Sequence, residues 1–490
     1  MRRLRRLVPA VAAVALVTAG AGAAVAALRT PQTCGDTGSV TTTTGNLADG
    51  AKFKIKCPPG AWNGTLWLYS HGYVAPGARN PAAYAQDRVT ASWLLSQGFA
   101  LAGSSYATTG WAIQQALPDQ IAAKQAFSAD FGAPRQTVAW GASLGGMVTA
   151  GLIQDFPGQF SAALPLCGVL AGGEADWNLG VDSDFAFQKL LDPVVQVVNI
   201  TDRAANRASA EGAAVAAQKT PQGQARLALV AALGDVPGWF TPLTPEPAPA
   251  DFAAQEQNQF LWQTTADIPF GFDFRAELEA RAGGNPSSTV GVSFARQLRL
   301  SPDFAEVVAL YKAAGLNLSA DLATLQHARQ IVASPRATGY LARNVSFDGE
   351  IRIPVLSMHT IGDGLITVEN EQAYRSAADR DGNGGFLRQT FIDRAGHCAF
   401  TPAEIVADIK VLLNRLRTGH WPSAALQPAA LNASAAALGT SLNIFAANVN
   451  GKATVIPAAP AFQAFSPAPY PRPFDPPRSS RQERLARSGR

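Results

Sequence analysis

Methionine, cysteine and histidine are scarce in this 490-residue chain, with three, four and five copies. No Cys-x-x-Cys pair and no histidine-rich run occurs, so a dedicated zinc site is not expected, and neither a metal nor an organic cofactor is required. A dominant charge is missing too. Forty Lys and Arg stand against 36 Asp and Glu, and the only dense basic clusters sit at the two ends, so no nucleic-acid-binding face is implied. There is no internal repeat. Apolar residues make up 47% of the chain, enough to bury a large core, and the length exceeds one ordinary domain.

The first residues, MRRLRRLVPAVAAVALVTAGAGAAVAALRT, combine a basic start, an Ala- and Val-rich apolar stretch and small residues suited to cleavage after Ala24-Val25-Ala26. Residues 1–26 are therefore read as a signal peptide. The expected destination is secreted, outside a bacterial cell, with no stable membrane association after cleavage. An uncleaved anchor is the alternative, because the run approaches the roughly 20 residues a spanning helix needs, although its Ala and Gly content makes it weakly hydrophobic. Export gives the cysteines a structural meaning, since an even number in an oxidising compartment is expected to pair. Four cysteines allow three pairings. Cys34 with Cys57 is the natural local pair, which leaves Cys167 and Cys398.

From Cys34 to Cys167, short β-rich runs alternate with segments of helical period, the pattern of a mostly parallel sheet. The runs at 65–71, 99–106, 137–143 and 161–168 read as buried strands, with helices expected over 81–98, 111–132 and from 145 to 157. The rhythm resumes with strands at 353–360 and 386–393, a helix over 369–378 and a final helix over 402–417. Between them, 171–349 is largely helical, carries Trp177, Trp239 and Trp262, and is too long to be a loop, so it reads as an inserted lid. It enters after one strand and leaves before the next, over the edge where open α/β sheets bind ligands. The domain reading is an α/β core in two parts, 27–170 and 350–420, the lid between them, and an Ala- and Pro-rich extension over 421–490. A few strand-like residues at 441–448 are expected to pack on the core, and the last twenty or so residues to form a disordered basic tail.

Gly141-Ala142-Ser143-Leu144-Gly145 matches G-x-S-x-G, in which the serine sits on a strained strand-to-helix turn and Gly141 and Gly145 let backbone pass closely. By chance the pattern occurs roughly 0.2 times in a chain this long, so its context decides. TVAW ahead of it reads as a strand and MVTAGLIQDF behind it as a helix. Ser143 is thus the candidate nucleophile and needs a base, for which His397 lies after the last strand and before the last helix. His327 falls in the insertion, His420 beyond the final helix and His359 at a strand end beside the candidate acid. That acid, which orients the imidazole, is Asp363, flanked by Gly362 and Gly364 after the strand at 353–360. Asp393 is the alternative, four residues from His397 and still on its strand. The order Ser, Asp, His fits one of the three known triad orders. For the oxyanion, the Leu144 N–H is expected to act with that of Tyr73 or Gly72, in the Ser70-His71-Gly72-Tyr73 turn after the strand at 65–71. His71 then shapes that loop.

On the stretches GFALAGSSYATTGWA, GASLGGMVTAGLIQDFP and MHTIGDGLITVENEQAY, segments 65–168 and 353–417 resemble the α/β-hydrolase superfamily, and within it secreted bacterial esterase-like members with a large lid. The resemblance implies an α/β fold with a mostly parallel sheet and a mainly helical inserted lid. The His397-Cys398 pair is similar to the tannase and feruloyl esterase group, in which a cysteine after the catalytic histidine is tied to one directly before the nucleophile. Here Ala142 holds that position, so the resemblance would require Cys398 to reach Cys167 instead. The function expected is a serine hydrolase acting on a small-molecule or polymeric ester through an acyl-enzyme. Amide or peptide cleavage by the same residues is the runner-up, and a non-catalytic binding or surface protein on the same scaffold the third reading.

Overall fold

The computed structural model describes residues 32–344, 346–449 and 452–475. The expected signal segment lies outside them, as does 476–490. Eleven strands are present among the described residues: β1 (Thr41–Asn46), β2 (Lys52–Cys57), β3 (Thr65–Ser70), β4 (Ala100–Ser104), β5 (Gln136–Ala142), β6 (Ala162–Leu166), β7 (Val355–Gly362), β8 (Leu387–Ala395), β9 (Ile444–Val449), β10 (Lys452–Pro457) and β11 (Phe462–Gln463). Nine of them form one sheet in the order β1-β2-β4-β3-β5-β6-β7-β8-β11, and β9 and β10 form a separate hairpin. Strands β3 to β8 run parallel, while β1, β2 and β11 add antiparallel pairings at the edges. The runs expected from the sequence are β3 to β8. The sequence reading missed β1 and β2 ahead of them, because β1, TTTTGN, alternates between half-buried and exposed positions without an apolar side.

Helices α1 (Arg88–Ser96), α2 (Ile113–Phe131) and α3 (Leu144–Asp155) alternate with these strands, and α13 (Glu369–Arg380), α14 (Pro402–Thr418) and α15 (Pro428–Ala436) follow in the second half of the core. Strand β3 shows why the sheet must be covered on both sides. Leu66 and Leu68 pack with α2 and α3, whereas Trp67 and Tyr69 pack with α1 and α14, so every residue of TLWLYS is buried. The helix expected over 81–98 is shorter, beginning at Arg88. Asp87 ends the loop ahead of it by accepting the Val89 and Thr90 N–H groups at 2.7 Å, an N-cap that stops extension toward Pro81.

The insertion between β6 and β7 is helical: α4 (Gly173–Leu190), α5 (Arg203–Ala217), α6 (Pro221–Leu233), α7 (Phe252–Trp262), α8 (Arg275–Ala282), α9 (Phe294–Leu300), α10 (Phe304–Ala313), α11 (Leu318–His327) and α12 (Pro335–Asn344). Two π-helical turns, Gln263–Asp267 and Phe270–Phe274, join α7 to α8. The lid has its own core, built on Phe185, Leu229, Phe294, Val307 and Tyr311. It also buries acids. Burial pushes Glu306, 1% exposed, from 4.5 to about 9 and Asp184, 7% exposed, from 3.8 to about 7. Between about pH 4 and those values the unfolded chain has released protons that the folded chain still holds. Stability therefore falls as pH rises through this window, by about 1.4 kcal/mol per unit and per group. Calorimetric scans are expected to show a lower unfolding temperature at pH 8 than at pH 5.

The described part of the extension, up to residue 475, forms regular structure, and most of the tail expected to be disordered lies outside the described residues. Strand β9 coincides with the strand-like residues expected at 441–448, and β11 caps the open edge of β8. Beyond it, Tyr470 is buried against α4, and Arg472 pairs with Asp182 of α4 and donates to the Ser288 carbonyl at 2.8 Å. Residues 470–472 thus strap the lid to the core.

Candidate active site

Ser143 joins β5 to α3 with φ 60° and ψ −127°, a left-handed backbone that side-chain-bearing residues rarely adopt. Close backbone approach makes the turn possible. A Cβ on Gly145 would lie 1.9 Å from the Ser70 carbonyl oxygen, and one on Gly141 would lie 2.5 Å from both that oxygen and the Gly145 oxygen. Any side chain at either position would push α3 off the sheet. The serine is half-buried, and its hydroxyl makes no hydrogen bond among the described residues.

Asp363 follows the end of β7 and His397 follows the end of β8, and the two are hydrogen-bonded, Nδ1 to Oδ2 at 2.7 Å. The other oxygen of Asp363 accepts the Leu365 and Ile366 N–H groups at 3.0 Å. Burial alone would raise this fully buried carboxyl, but His397, His359 and the Ile366 N–H together hold it below its ordinary value. His359 lies behind it, with both ring nitrogens facing oxygen: Glu371 Oε1 at 3.2 Å and the Ile366 carbonyl at 2.8 Å, with Asp363 Oδ2 at 3.7 Å. Burial works against its charge, yet Glu371 and Asp363 outweigh it and raise its pKa, which makes His359 a buried counter-ion for two carboxylates. Asp393, the other candidate acid, is an exposed residue of β8. Ser143 follows β5 and His397 follows β8, with β6 and β7 between those strands in the sheet; no hydrogen bond joins the two residues, and His397 Nε2 lies 3.4 Å from Cys398 Sγ. Catalytic hydrogen bonds of free enzymes are often long and tighten only around the substrate.

The loop that carries His397 is held at several points. Thr360 Oγ1 donates to the Gly396 carbonyl at 2.8 Å, and the Gly396 N–H donates to Gly362 at 3.0 Å. Arg394 forms a buried pair with Glu404 and donates to the Ala399 carbonyl, while Glu404 completes a capping box with Thr401 at the start of α14. Cys398 is bonded to Cys167, just past β6, and Cys34 to Cys57. Cys167, His397 and Cys398 lie within metal-ligand spacing of one another, but both sulfurs are spent in the disulfide and offer no thiolate. Replacing Cys167 and Cys398 by serine is expected to cost about 2–5 kcal/mol of stability and to lower turnover by freeing the His397 loop. Urea unfolding together with kcat checks both effects.

Across from the serine, the Ser70–Tyr73 turn comes close enough that a Cβ on Gly72 would lie 3.3 Å from Ser143 Cβ. The Gly72, Tyr73 and Leu144 N–H groups find no acceptor among the described residues. His71 stacks on Tyr106 at 3.9 Å and donates from Nδ1 to the Gly72 carbonyl at 2.7 Å, and the Tyr106 hydroxyl donates to the His71 carbonyl at 2.9 Å. Burial lowers its pKa, and its contacts all serve the shape of this turn.

These pieces sit where one known architecture puts them: a serine at the turn after β5, an acid after β7 and a histidine after β8, on a sheet ordered β1-β2-β4-β3-β5-β6-β7-β8 with a lid after β6. The fold is that of an α/β-hydrolase. A family model described as a tannase-like family of unknown function (DUF6351) matches residues 32–233 of this chain. An o-phthalyl amidase of Xanthobacter agilis is 28% identical over 445 residues, covering 81% of this chain and 91% of the relative. Among solved structures, the rice cell wall degrading esterase LipA of Xanthomonas oryzae matches over 77% of this chain and 90% of its own, at 14% identity and a TM-score of 0.37. An esterase of Aspergillus oryzae matches over 78% and 80%, at 13% identity and a TM-score of 0.39.

Ser143 and Leu144 open into a cavity between core and lid whose walls include Trp111, Trp177, Phe270 and Ile366. Of the three lid tryptophans, Trp177 lines this cavity, whereas Trp239 and Trp262 line neighbouring ones. The sequence reading missed Glu371, Arg394 and the acids of the cavity wall. It placed His359 beside the acid, but the carboxylate on its far side is twelve residues away and gave no signal.

Proposed function

We propose that the protein is an exported serine hydrolase that cleaves carboxylic esters. Ser143 Oγ attacks the ester carbonyl while His397 takes its proton and Asp363 steadies the imidazolium. The tetrahedral oxyanion is received by the Leu144 N–H and that of Tyr73 or Gly72. His397 then passes the proton to the departing alkoxide, and the alcohol leaves an acyl-Ser143. Water, deprotonated by His397, attacks the acyl group, releases the acid and restores the serine. The observation that carries this reading is the strained Ser143 turn after β5 together with a 2.7 Å Asp363–His397 hydrogen bond at the ends of β7 and β8 of the same sheet. Export is supported by the two disulfides, and no helix among the described residues is long and apolar enough to cross a membrane.

Amide cleavage by the same residues is the second reading, favoured by the likeness to a relative named for an amidase. A panel of p-nitrophenyl esters of rising acyl length, run beside p-nitroanilides, separates the two. Ester turnover is expected to dominate, and hydrolysis of anilides alone would transfer the protein to the amidase reading.

A further inference from the structure

The cavity beside Ser143 carries three acids from the lid, Asp176 and Asp184 on α4 and Asp267 in the first π-helical turn. No Lys, Arg or His lines it. None of the three carboxyls accepts a hydrogen bond from a described residue. Asp184 is 7% exposed and still forms part of the cavity wall, and Asp267 Oδ2 is fully buried without a partner. Arg275 is fully buried, donates to Glu279 at 3.3 Å and Asn285 at 2.7 Å and lies over the Trp177 ring at 5.6 Å; it makes no hydrogen bond to Asp184, although its charge acts on that carboxyl, and its Nη1 has no partner among the described residues. Burial pushes Asp176 and Asp184 up to about 7 and Asp267 up to about 8, in Asp184 against the opposing charge of Arg275 and in Asp267 with the added charge of Asp184. The remaining wall adds aromatic faces from Tyr73, Trp111, Trp177 and Phe270.

Unpaired buried carboxyls beside several aromatic faces, with no cation among them, suit an organic ammonium. Such a group takes hydrogen bonds and charge from the acids and attraction from the aromatic rings, and it brings Asp176 and Asp267 a counter-ion that no described residue supplies. An anionic group would meet like charge here, and an alkyl group would leave the acids unpaired. We propose that the substrate of this hydrolase carries a protonated amine, seated in the lid cavity against Asp176, Asp184 and Asp267. Only the placement of the amine relative to the scissile bond rests on the reading of Ser143 as nucleophile.

The probes are 2-phenylethylammonium, the near-isosteric 2-phenylethanol and the anion 3-phenylpropanoate, each titrated calorimetrically into the full chain at pH 7.5. The ammonium is expected to bind at least about tenfold more tightly than the alcohol, with the anion weakest, and to inhibit p-nitrophenyl ester hydrolysis competitively. Asp184→Asn and, as a second variant in case the first fails to fold, Asp267→Asn are each expected to shrink the ammonium-to-alcohol ratio severalfold. Alcohol or anion binding as well as the ammonium in the unmodified protein would overturn the proposal. An absence of ester and amide turnover would instead count against the Ser143 reading, and calorimetry would still decide this one.

Discussion

Replacing Ser143 by alanine is expected to lower kcat for p-nitrophenyl esters by on the order of 10⁵- to 10⁶-fold while leaving the unfolding temperature close to that of the parent. The first part follows from covalent catalysis: without Oγ no acyl-enzyme forms, and what remains is the oxyanion site and binding. The second follows from the structure, where the Ser143 hydroxyl makes no hydrogen bond whose loss would be felt and the turn is held by the glycines around it. Titrating product release at early times should show a burst in the parent and none in Ser143→Ala. A variant that keeps its turnover would remove Ser143 from the mechanism, and with it the main reading of the site.

Asp363→Asn is expected to cost roughly 10³- to 10⁴-fold in kcat with little change in KM. The carboxylate receives the Nδ1 proton of His397 and so leaves Nε2 free as the base, and an amide that turns its NH₂ toward Nδ1 selects the opposite tautomer. The substitution also takes one of two carboxylates from His359, which is left with Glu371 alone. Asp393→Asn is the matched comparison. Its side chain is exposed on β8, and its turnover should stay within about twofold of the parent. Equal losses in the two variants would mean that the acid had been misassigned.

That Ser143, Asp363 and His397 stand on turns just past strands was legible in the sequence for a chemical reason. A nucleophile elbow needs glycines at fixed offsets, and the acid and base need to stand on short loops just past strands, so type and spacing carry the signal at Ser143, Asp363 and His397. The strands that hold them were legible because burial on both faces forces continuous apolar runs, as in TLWLYS. Other features had no such local signature. The threonine-rich β1 and the two-residue β11 exist through pairing with partners already in place. Arg394 and Glu404 read as ordinary surface charges until β8 and α14 bring them together beneath the His397 loop. The cavity acids are separated by up to 91 positions, from Asp176 to Asp267, and only lid packing brings them to one wall.

The bond between Cys167 and Cys398 closes a covalent ring that contains β7, β8 and every helix of the lid. The stretch from Thr241 to Ala250, TPLTPEPAPA, is largely exposed and lies inside that ring. A protease that cuts there once opens the ring without dividing the molecule, because the two pieces remain joined through sulfur as well as through the packed core. Ser143 on one fragment and the Asp363–His397 pair on the other then stay covalently linked until a reductant arrives, and after that only packing holds them together.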